Sequence, residues 1–285
     1  MVDKLSLITT PIWLRNDEKI NSQGTGFYFS HEFGENNTVG FLVTNYHVLT
    51  GHPPTESRKY DGDNIIFQYH ISDDDPGNIA NITLPLFTED GKPVWIMSNS
   101  VPNADIAVIP LIYPKFKGGV TIQAISENWA EKDVLMEPSN QVILIGYPYG
   151  FHDEKNALPI WKTGSIASEP EKNFNGEPLF IIDVSAFPGM SGSPVFGIIR
   201  GDFRKKDGTH MAMGYFDVFL GIYAANQVRY EGKYIEKLVQ NERPGIIHCE
   251  SLELGHVWKY RLIHDIIRGV DIHKYNEDIV KNVRI

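Results

Sequence analysis

The stretch Asp183-Val-Ser-Ala-Phe-Pro-Gly-Met-Ser-Gly-Ser-Pro194 places one serine, Ser191, between glycines in a tight turn after an apolar strand. Glycine tolerates backbone conformations that side chains forbid, so the amide hydrogens of Gly189 and Ser191 can converge on one point and hold an oxyanion there. Pro-Gly and Ser-Gly pairs also mark ordinary turns. The stretch by itself therefore leaves a catalytic serine and a plain turn both open.

Two upstream segments provide the other groups that an activated serine needs. A serine hydroxyl becomes a good nucleophile when a histidine takes its proton and an acidic side chain orients that histidine. The run Phe41-Leu-Val-Thr-Asn-Tyr-His-Val48 predicts a strand that delivers His47 at its exit, and Asn103-Ala-Asp-Ile-Ala-Val-Ile-Pro110 puts Asp105 at the mouth of another strand. A lone histidine or aspartate is usually structural, whereas the order His, Asp, Ser indicates a catalytic triad.

The motifs around this triad resemble those of the chymotrypsin-like (trypsin-fold) serine peptidases, especially the bacterial branch with the Deg-type and glutamyl endopeptidases. The resemblance rests on Thr44-Asn-Tyr-His-Val48, Asp105-Ile-Ala-Val-Ile109, Pro188-Gly-Met-Ser-Gly-Ser-Pro194 and Gly24-Thr-Gly-Phe27. It implies an all-β fold of two six-stranded antiparallel β-barrels with a C-terminal helix. The active site would lie in the cleft between the barrels.

The rest of the sequence is compatible with this architecture. Short apolar runs between turn signals predict one set of strands between residues 5 and 111 and another between residues 141 and 224, with an irregular connection that has a helical turn near Trp129. We therefore expect an N-terminal barrel with the histidine and aspartate within residues 1–120. A C-terminal barrel with the serine, followed by an amphipathic helix, is expected within residues 121–285.

The resemblance implies a role for each site residue. His47 would act as general base towards Ser191 and then as general acid towards the leaving amine, while Asp105 orients the imidazole. The backbone amides of Gly189 and Ser191 would form the oxyanion hole, and water would cleave an acyl-enzyme. The expected activity is that of a serine endopeptidase on peptide or protein substrates, with no cofactor and no metal.

Activation and specificity depart from the better-known members of this family. Digestive members carry an aspartate before the nucleophile, which pairs with a newly formed N-terminal amine. Here that position is Met190, so we expect no activation by N-terminal trimming and an oxyanion loop that is either preformed or ordered by a partner. The expected substrate-binding residues carry no charge, which favours an uncharged side chain before the scissile bond; they are Ser185, Ile222, Tyr223 and Ala224.

Composition and charge limit the partners. A formal net charge of −10 argues against general nucleic-acid binding, which needs a basic face. No segment approaches the 18 or so uninterrupted apolar residues of a spanning helix, so no membrane partner is expected. The N-terminus lacks the pattern of a secretory leader and the single cysteine, Cys249, cannot form an internal disulfide, which together predict a cytoplasmic location.

Other readings of the chain have weaker support. The late histidines and nearby aspartates match no metal-ligand spacing and are expected on the surface or on a helix face; they are His248, His256, His264, His273, Asp265 and Asp271. The run Asp73-Asp-Asp75 lacks the oxygen spacing of a calcium loop. Two alternatives to a constitutive endopeptidase stay open: a protease fold that binds or regulates without turnover, and a peptidase that a regulatory protein partner releases.

Overall fold

Two six-stranded antiparallel sheets form the framework of the fold, which confirms the predicted all-β architecture. The computed structural model describes residues 2–34, 37–72, 75–113, 122–130, 132–231 and 248–283. The first sheet has the strand order β5-β4-β1-β2-β3-β6. Its strands are β1 (Thr9–Asn16), β2 (Lys19–Glu32), β3 (Thr38–Thr44), β4 (Asn64–His70), β5 (Ile79–Pro85) and β6 (Ala107–Pro110).

The second sheet closes on itself through hydrogen bonds into a barrel of order β10-β11-β12-β9-β8-β7. Its strands are β7 (Gln141–Gly146), β8 (Ile160–Ile166), β9 (Leu179–Asp183), β10 (Pro194–Arg204), β11 (His210–Glu231) and β12 (His248–Lys259). The last three strands are longer than their apolar runs indicated. Their additional residues are paired along the backbone in the β10–β11 hairpin and between β11 and β12.

Short helices connect and follow the sheets. They are α1 (Lys4–Leu7), α2 (Tyr46–Thr50), α3 (Tyr260–Arg268) and α4 (Ile272–Asp278), with 3-10 turns at Glu127–Trp129, Pro148–Gly150 and Val280–Asn282. The helical turn expected near Trp129 and the helix expected after the last strand are both present. The strand expected to begin at Leu5 begins only at Thr9, because Asp3 caps a helical turn by accepting a hydrogen bond from the Leu5 amide at 2.9 Å.

Several strands are buried on both faces. One face packs inside its own sheet and the other packs in a cluster between the two sheets. Successive side chains of a strand point to opposite faces. In β3, Leu42 packs inside the first sheet while Phe41 faces the cluster between the sheets. In β7, Val142 packs inside the second barrel while Ile143 faces the same shared cluster. The sheets are thus joined by a continuous apolar contact.

The C-terminal helices tie this arrangement together. The apolar face of α3 enters the shared cluster through Leu262, Ile263 and Ile266. Helix α4 crosses to the first sheet, where the buried Tyr275 hydroxyl donates to the Val94 carbonyl at 2.6 Å and lies 2.9 Å from the Tyr113 hydroxyl. Residues after the second barrel therefore complete the core of the first sheet.

Two sequence expectations fall on residues that the structure does not describe. The expected boundary at residue 120 lies outside the described residues, although the strands of the two sheets fall on either side of it. Asp73 and Asp74 of the acidic run also lie outside them. Within the described part of the chain, every helix is too short or too polar to cross a bilayer.

Candidate active site

A histidine and an aspartate meet through two contacts at one end of the first sheet. The Asp105 carboxylate accepts a hydrogen bond from the His47 backbone amide through Oδ1 at 3.0 Å, and its Oδ2 lies 2.5 Å from His47 Nδ1. The Asp105 side chain is 14% exposed and the His47 side chain is 28% exposed, so the pair is partly shielded while the imidazole still reaches solvent. A carboxylate in this position fixes the ring orientation and favours the tautomer with the proton on Nδ1.

Local structure places this pair at the ends of adjacent strands. Strand β3 ends at Thr44 and the chain turns into α2, which contains His47, while Asp105 lies just before β6, the neighbour of β3 in the sheet. The Asn45 side-chain amide donates to the Asp105 backbone carbonyl at 2.6 Å and joins the two strand ends. Sequence analysis did not assign this role to Asn45, although the residue stands within the motif around the histidine.

The serine turn depends on two glycines with positive φ. Gly189 has φ +94° and Gly192 has φ +90°, conformations that side chains rarely adopt. A Cβ at Gly192 would lie only 1.9 Å from the Thr25 carbonyl oxygen, so the turn also needs glycine to approach the first sheet. The turn closes locally through the bond from the Ser193 amide to the Met190 carbonyl at 3.0 Å.

Thr25 of β2 fastens this turn to the first sheet. Its amide donates to the Ser191 carbonyl at 2.8 Å, and its hydroxyl donates to the Gly189 carbonyl at 2.8 Å. The same hydroxyl accepts from the Tyr147 amide at 3.1 Å, and the Thr44 hydroxyl donates to the Thr25 carbonyl at 2.7 Å. Sequence analysis quoted the Gly24-Thr-Gly-Phe27 motif but missed this function of its threonine.

The hydroxyl of Ser191 is directed to the strand beside it. It donates to the Ala224 carbonyl oxygen at 3.0 Å, and within the described residues it forms no hydrogen bond with His47. The backbone amides of Gly189 and Ser191 likewise have no hydrogen-bond acceptor among the described residues. Two unpaired amides beside a half-buried hydroxyl are free to donate to a third group, which is the property that an oxyanion site requires.

Met190 explains how the turn is held without an ion pair at that position. Its side chain is fully buried in the core of the second barrel, where it packs with the other apolar residues of that cluster. The turn is therefore anchored by apolar packing on one side and by Thr25 on the other.

The expected substrate-binding residues are placed near the turn in two different ways. Ile222, Tyr223 and Ala224 are buried, and the backbone of Tyr223 bonds to the turn through the Gly192 amide and the Ser193 carbonyl, both at 2.9 Å. This segment can meet a ligand only through its backbone. Ser185 is half-buried, and its hydroxyl donates to the Glu253 carboxylate at 3.4 Å, which brings an acidic group beside it.

Exposed aromatic side chains border the other side of the turn. Tyr149 and Phe187 are 65% and 42% exposed, and their ring centroids lie 6.0 Å apart. The Lys162 ammonium lies 5.1 Å from the Phe187 ring centroid. Exposed aromatic groups of this kind offer large apolar contact area to a bound chain.

Burial controls the titration of the tyrosines around the site. Loss of hydration raises the pKa of Tyr46 to about 12, and it raises the pKa of the buried Tyr223 further. Both hydroxyls are therefore neutral at ordinary pH. Within the described part of the chain, the side chains that could hold a metal are His31, Glu127 and His264, none of which belongs to the groups described above.

Comparison with known proteins identifies the class. The profile of the trypsin-like peptidase domain matches residues 24–202, which include His47, Asp105 and Ser191. The chain therefore belongs to the trypsin-like peptidase family, a family of serine proteases, which confirms the family resemblance. No curated protein sequence matches the chain.

Solved structures of similar shape are also serine proteases. The serine endoprotease from Yersinia pestis is 14% identical with a TM-score of 0.46, and the match covers 96% of this chain and 64% of that one. The chain thus spans less than two thirds of that relative. The protease Anisep from Arthrobacter nicotinovorans is 12% identical with a TM-score of 0.45, and the match covers 93% and 95%. Similarity at this level adds nothing to the family match.

Proposed function

We propose that the protein is a serine endopeptidase in which His47, Asp105 and Ser191 form the catalytic triad. The observation that carries the proposal is the two-point contact of Asp105 with the His47 backbone and ring, made while Thr25 fixes the Ser191 turn to the same sheet. A structural histidine needs no partner that sets its tautomer. A general base does.

The proposed reaction proceeds through an acyl-enzyme. Ser191 Oγ attacks the carbonyl carbon of the scissile bond while His47 Nε2 takes its proton, and the electron pair of the carbonyl moves to its oxygen. The Gly189 and Ser191 amides donate to that oxyanion. The tetrahedral intermediate collapses, the amine leaves with the proton from His47, and water repeats the sequence to release the acid.

The Ser191 side chain has to rotate before its hydroxyl can donate to His47. The Ser191 hydroxyl donates to the Ala224 carbonyl and must turn about its Cα–Cβ bond to donate to His47. The half-buried Ser191 side chain has to break only its hydrogen bond to Ala224 in order to rotate. An extended substrate would use the Ala224 carbonyl as an acceptor for its own backbone amide and release the hydroxyl for attack.

Specificity before the scissile bond is proposed to exclude acidic side chains. The Glu253 carboxylate beside Ser185 would repel a substrate carboxylate, and the buried Tyr223 offers no cation, while the Lys162 ammonium lies at the Phe187 ring. We expect cleavage after substrate residues with neutral side chains. A peptide library read by mass spectrometry tests this preference. Preferred cleavage after Asp or Glu would contradict this assignment.

A fluorophosphonate probe tests the activated serine. We expect covalent labelling of the purified chain at one site, and its loss in Ser191→Ala, when labelling is read by intact mass. Ser185→Ala is the matched control, because it removes a neighbouring hydroxyl outside the proposed triad. Labelling that persists in Ser191→Ala, or disappears equally in both variants, contradicts the proposal.

The orientation of Ser191 also favours a second candidate function. A hydroxyl bonded to Ala224 is that of a resting enzyme, or of a protease fold that acts only after a regulatory protein partner binds. The two functions differ in one result. A constitutive peptidase is labelled and cleaves peptides alone, whereas a partner-activated or silent fold shows neither until its partner is added.

A further inference from the structure

Three side chains from distant parts of the chain converge outside the proposed active site. His31 lies at the end of strand β2, Glu127 begins the 3-10 turn in the connection between the sheets, and His264 lies in α3. His31 Nδ1 and His264 Nε2 are each 2.5 Å from the same oxygen, Glu127 Oε1. We refer to these residues as the His31–Glu127–His264 cluster.

The converging atoms are buried and have no hydrogen-bond partner. His31 Nδ1, Glu127 Oε1 and His264 Nε2 all lack an acceptor or donor in acceptable geometry, although the side chains are only 12%, 26% and 12% exposed. Buried polar atoms are almost always satisfied, because an unpaired one has given up its hydrogen bonds to water without replacement. Three potential ligand atoms therefore meet at one place without satisfying one another in hydrogen-bond geometry.

We propose that the His31–Glu127–His264 cluster binds a divalent transition-metal ion, Zn²⁺ above all, as a stabilising site. Two imidazole nitrogens and one carboxylate oxygen are ligands that suit Zn²⁺, whereas Ca²⁺ and Mg²⁺ prefer oxygen alone. The three donor atoms lie within 4.8 Å of one another. Donors around a tetrahedral zinc ion are about 3.3 Å apart, so the two nitrogen–oxygen separations of 2.5 Å have to lengthen by roughly 0.8 Å each.

The surroundings allow that movement and supply the fourth position. An open cleft of about 370 Å³ adjoins the cluster and is lined in part by Ser30, Ser126 and Asn128, so water can complete the coordination shell. Arg268 Nη2 lies 3.4 Å from Glu127 Oε2 and opposes a cation there. Its side chain is 57% exposed and can turn to solvent, leaving the carboxylate to the metal.

An ion at this position would join three elements that otherwise meet through apolar contacts. His31 belongs to the first sheet, Glu127 to the connection and His264 to α3, whose apolar face enters the cluster between the sheets. Binding to the folded chain alone raises its stability by mass action. The inferred role is therefore structural and is independent of the proposed triad.

The test uses the full chain after treatment with EDTA and buffer exchange. Calorimetric titration with Zn²⁺ is expected to give one site, and Co²⁺ in its place is expected to give the visible absorption of a tetrahedral complex. At a free Zn²⁺ concentration of about 100 times Kd, the melting temperature should rise by roughly 5–10 °C. His264→Gln and Glu127→Gln should each abolish the site.

His210→Gln is the matched control, because it removes an imidazole on the β10–β11 hairpin, away from the cluster. It should keep one bound ion and the full rise in melting temperature. Retained binding in both cluster variants overturns the proposal. So does an ion-pair role alone, in which both variants melt at a lower temperature by the same amount with EDTA and with Zn²⁺. Should His264→Gln fail to fold, Glu127→Gln with the Co²⁺ spectrum decides the question.

Discussion

Thr25 is the residue whose side chain connects the first sheet to the Ser191 turn. Its hydroxyl is fully buried, donates to the Gly189 carbonyl and accepts from the Tyr147 amide. Each bond fixes a backbone group of the segments that flank the proposed oxyanion hole. A positioning role of this kind affects the rate of reaction more than the fold.

The substitution Thr25→Val keeps the shape of the residue and removes both hydrogen bonds. We expect the rate of fluorophosphonate labelling to fall about 100-fold, because displacement of a catalytic group by about 1 Å has an effect of that size. The free energy of unfolding should fall by about 1–3 kcal/mol, the cost of leaving buried partners unpaired. Labelling kinetics and urea unfolding measure the two effects separately.

Thr10→Val is the control for this variant. Thr10 is also fully buried, and its hydroxyl donates to the Pro11 carbonyl at 3.1 Å and accepts from the Gln68 amide at 2.8 Å, within the first sheet. It should lower stability by a similar amount and leave labelling unchanged. Equal labelling by the two variants would show that Thr25 does not position the turn.

Among the elements, the Ser191 turn combines a strained backbone conformation with a close contact to the first sheet. Gly192 and Gly208 have nearly the same φ, +90° and +88°. A Cβ at Gly192 would meet the Thr25 carbonyl at 1.9 Å, whereas a Cβ at Gly208 would meet nothing within 4 Å. The pair separates backbone strain from steric contact.

We expect Gly208→Ala to lower the free energy of unfolding by about 1–2 kcal/mol, the cost of a non-glycine residue in this region. Gly192→Ala should cost several kcal/mol more and abolish labelling at Ser191, because the turn must leave the first sheet. Thermal melting and probe labelling are the measurements. Equal losses of stability in the two variants would contradict the proposed role of the contact.

The elements that sequence patterns predicted are those whose pattern is local. Apolar runs and nearby turn residues predicted the strand ends beside His47 and Asp105. The same kind of pattern predicted the helix after the last strand. The extended part of the β10–β11 hairpin was not predicted, because its apolar residues Met213 and Tyr215 are exposed and do not alternate with a buried face. The meeting of His31, Glu127 and His264 could not be predicted, since it depends on how the connection and α3 pack on the first sheet.

For the molecule as a whole, buried tyrosines make stability sensitive to alkali. Burial raises the pKa of Tyr113 to about 12 and raises the pKa of Tyr28 and Tyr275 well above the ordinary value of 10. Above pH 10 the unfolded chain releases these protons while the folded chain retains them. Stability is therefore full below pH 10 and is lost as the pH rises through 10 towards 12 and beyond.

Each retained proton should steepen the fall of stability by up to about 1.4 kcal/mol per pH unit. We expect Tyr275→Phe to make this slope shallower by about one proton, while it lowers stability at neutral pH through the loss of the Val94 and Tyr113 contacts. Urea unfolding between pH 8 and pH 12 measures both. Tyr215→Phe, at a residue that is 82% exposed, should leave the slope unchanged. An unchanged slope in Tyr275→Phe would show that Tyr275 titrates normally.

The return of α4 to the first sheet has a consequence for synthesis on the ribosome. His47 and Asp105 belong to a sheet whose core is closed by Tyr275, a residue translated long after the last strand of that sheet. At about 5–20 residues per second, the interval between Pro110 and Tyr275 lasts roughly 10–30 s. During that interval the nascent first sheet lacks part of its core. The proposed peptidase activity would therefore arise only after the whole of the second barrel and α4 had emerged from the ribosome.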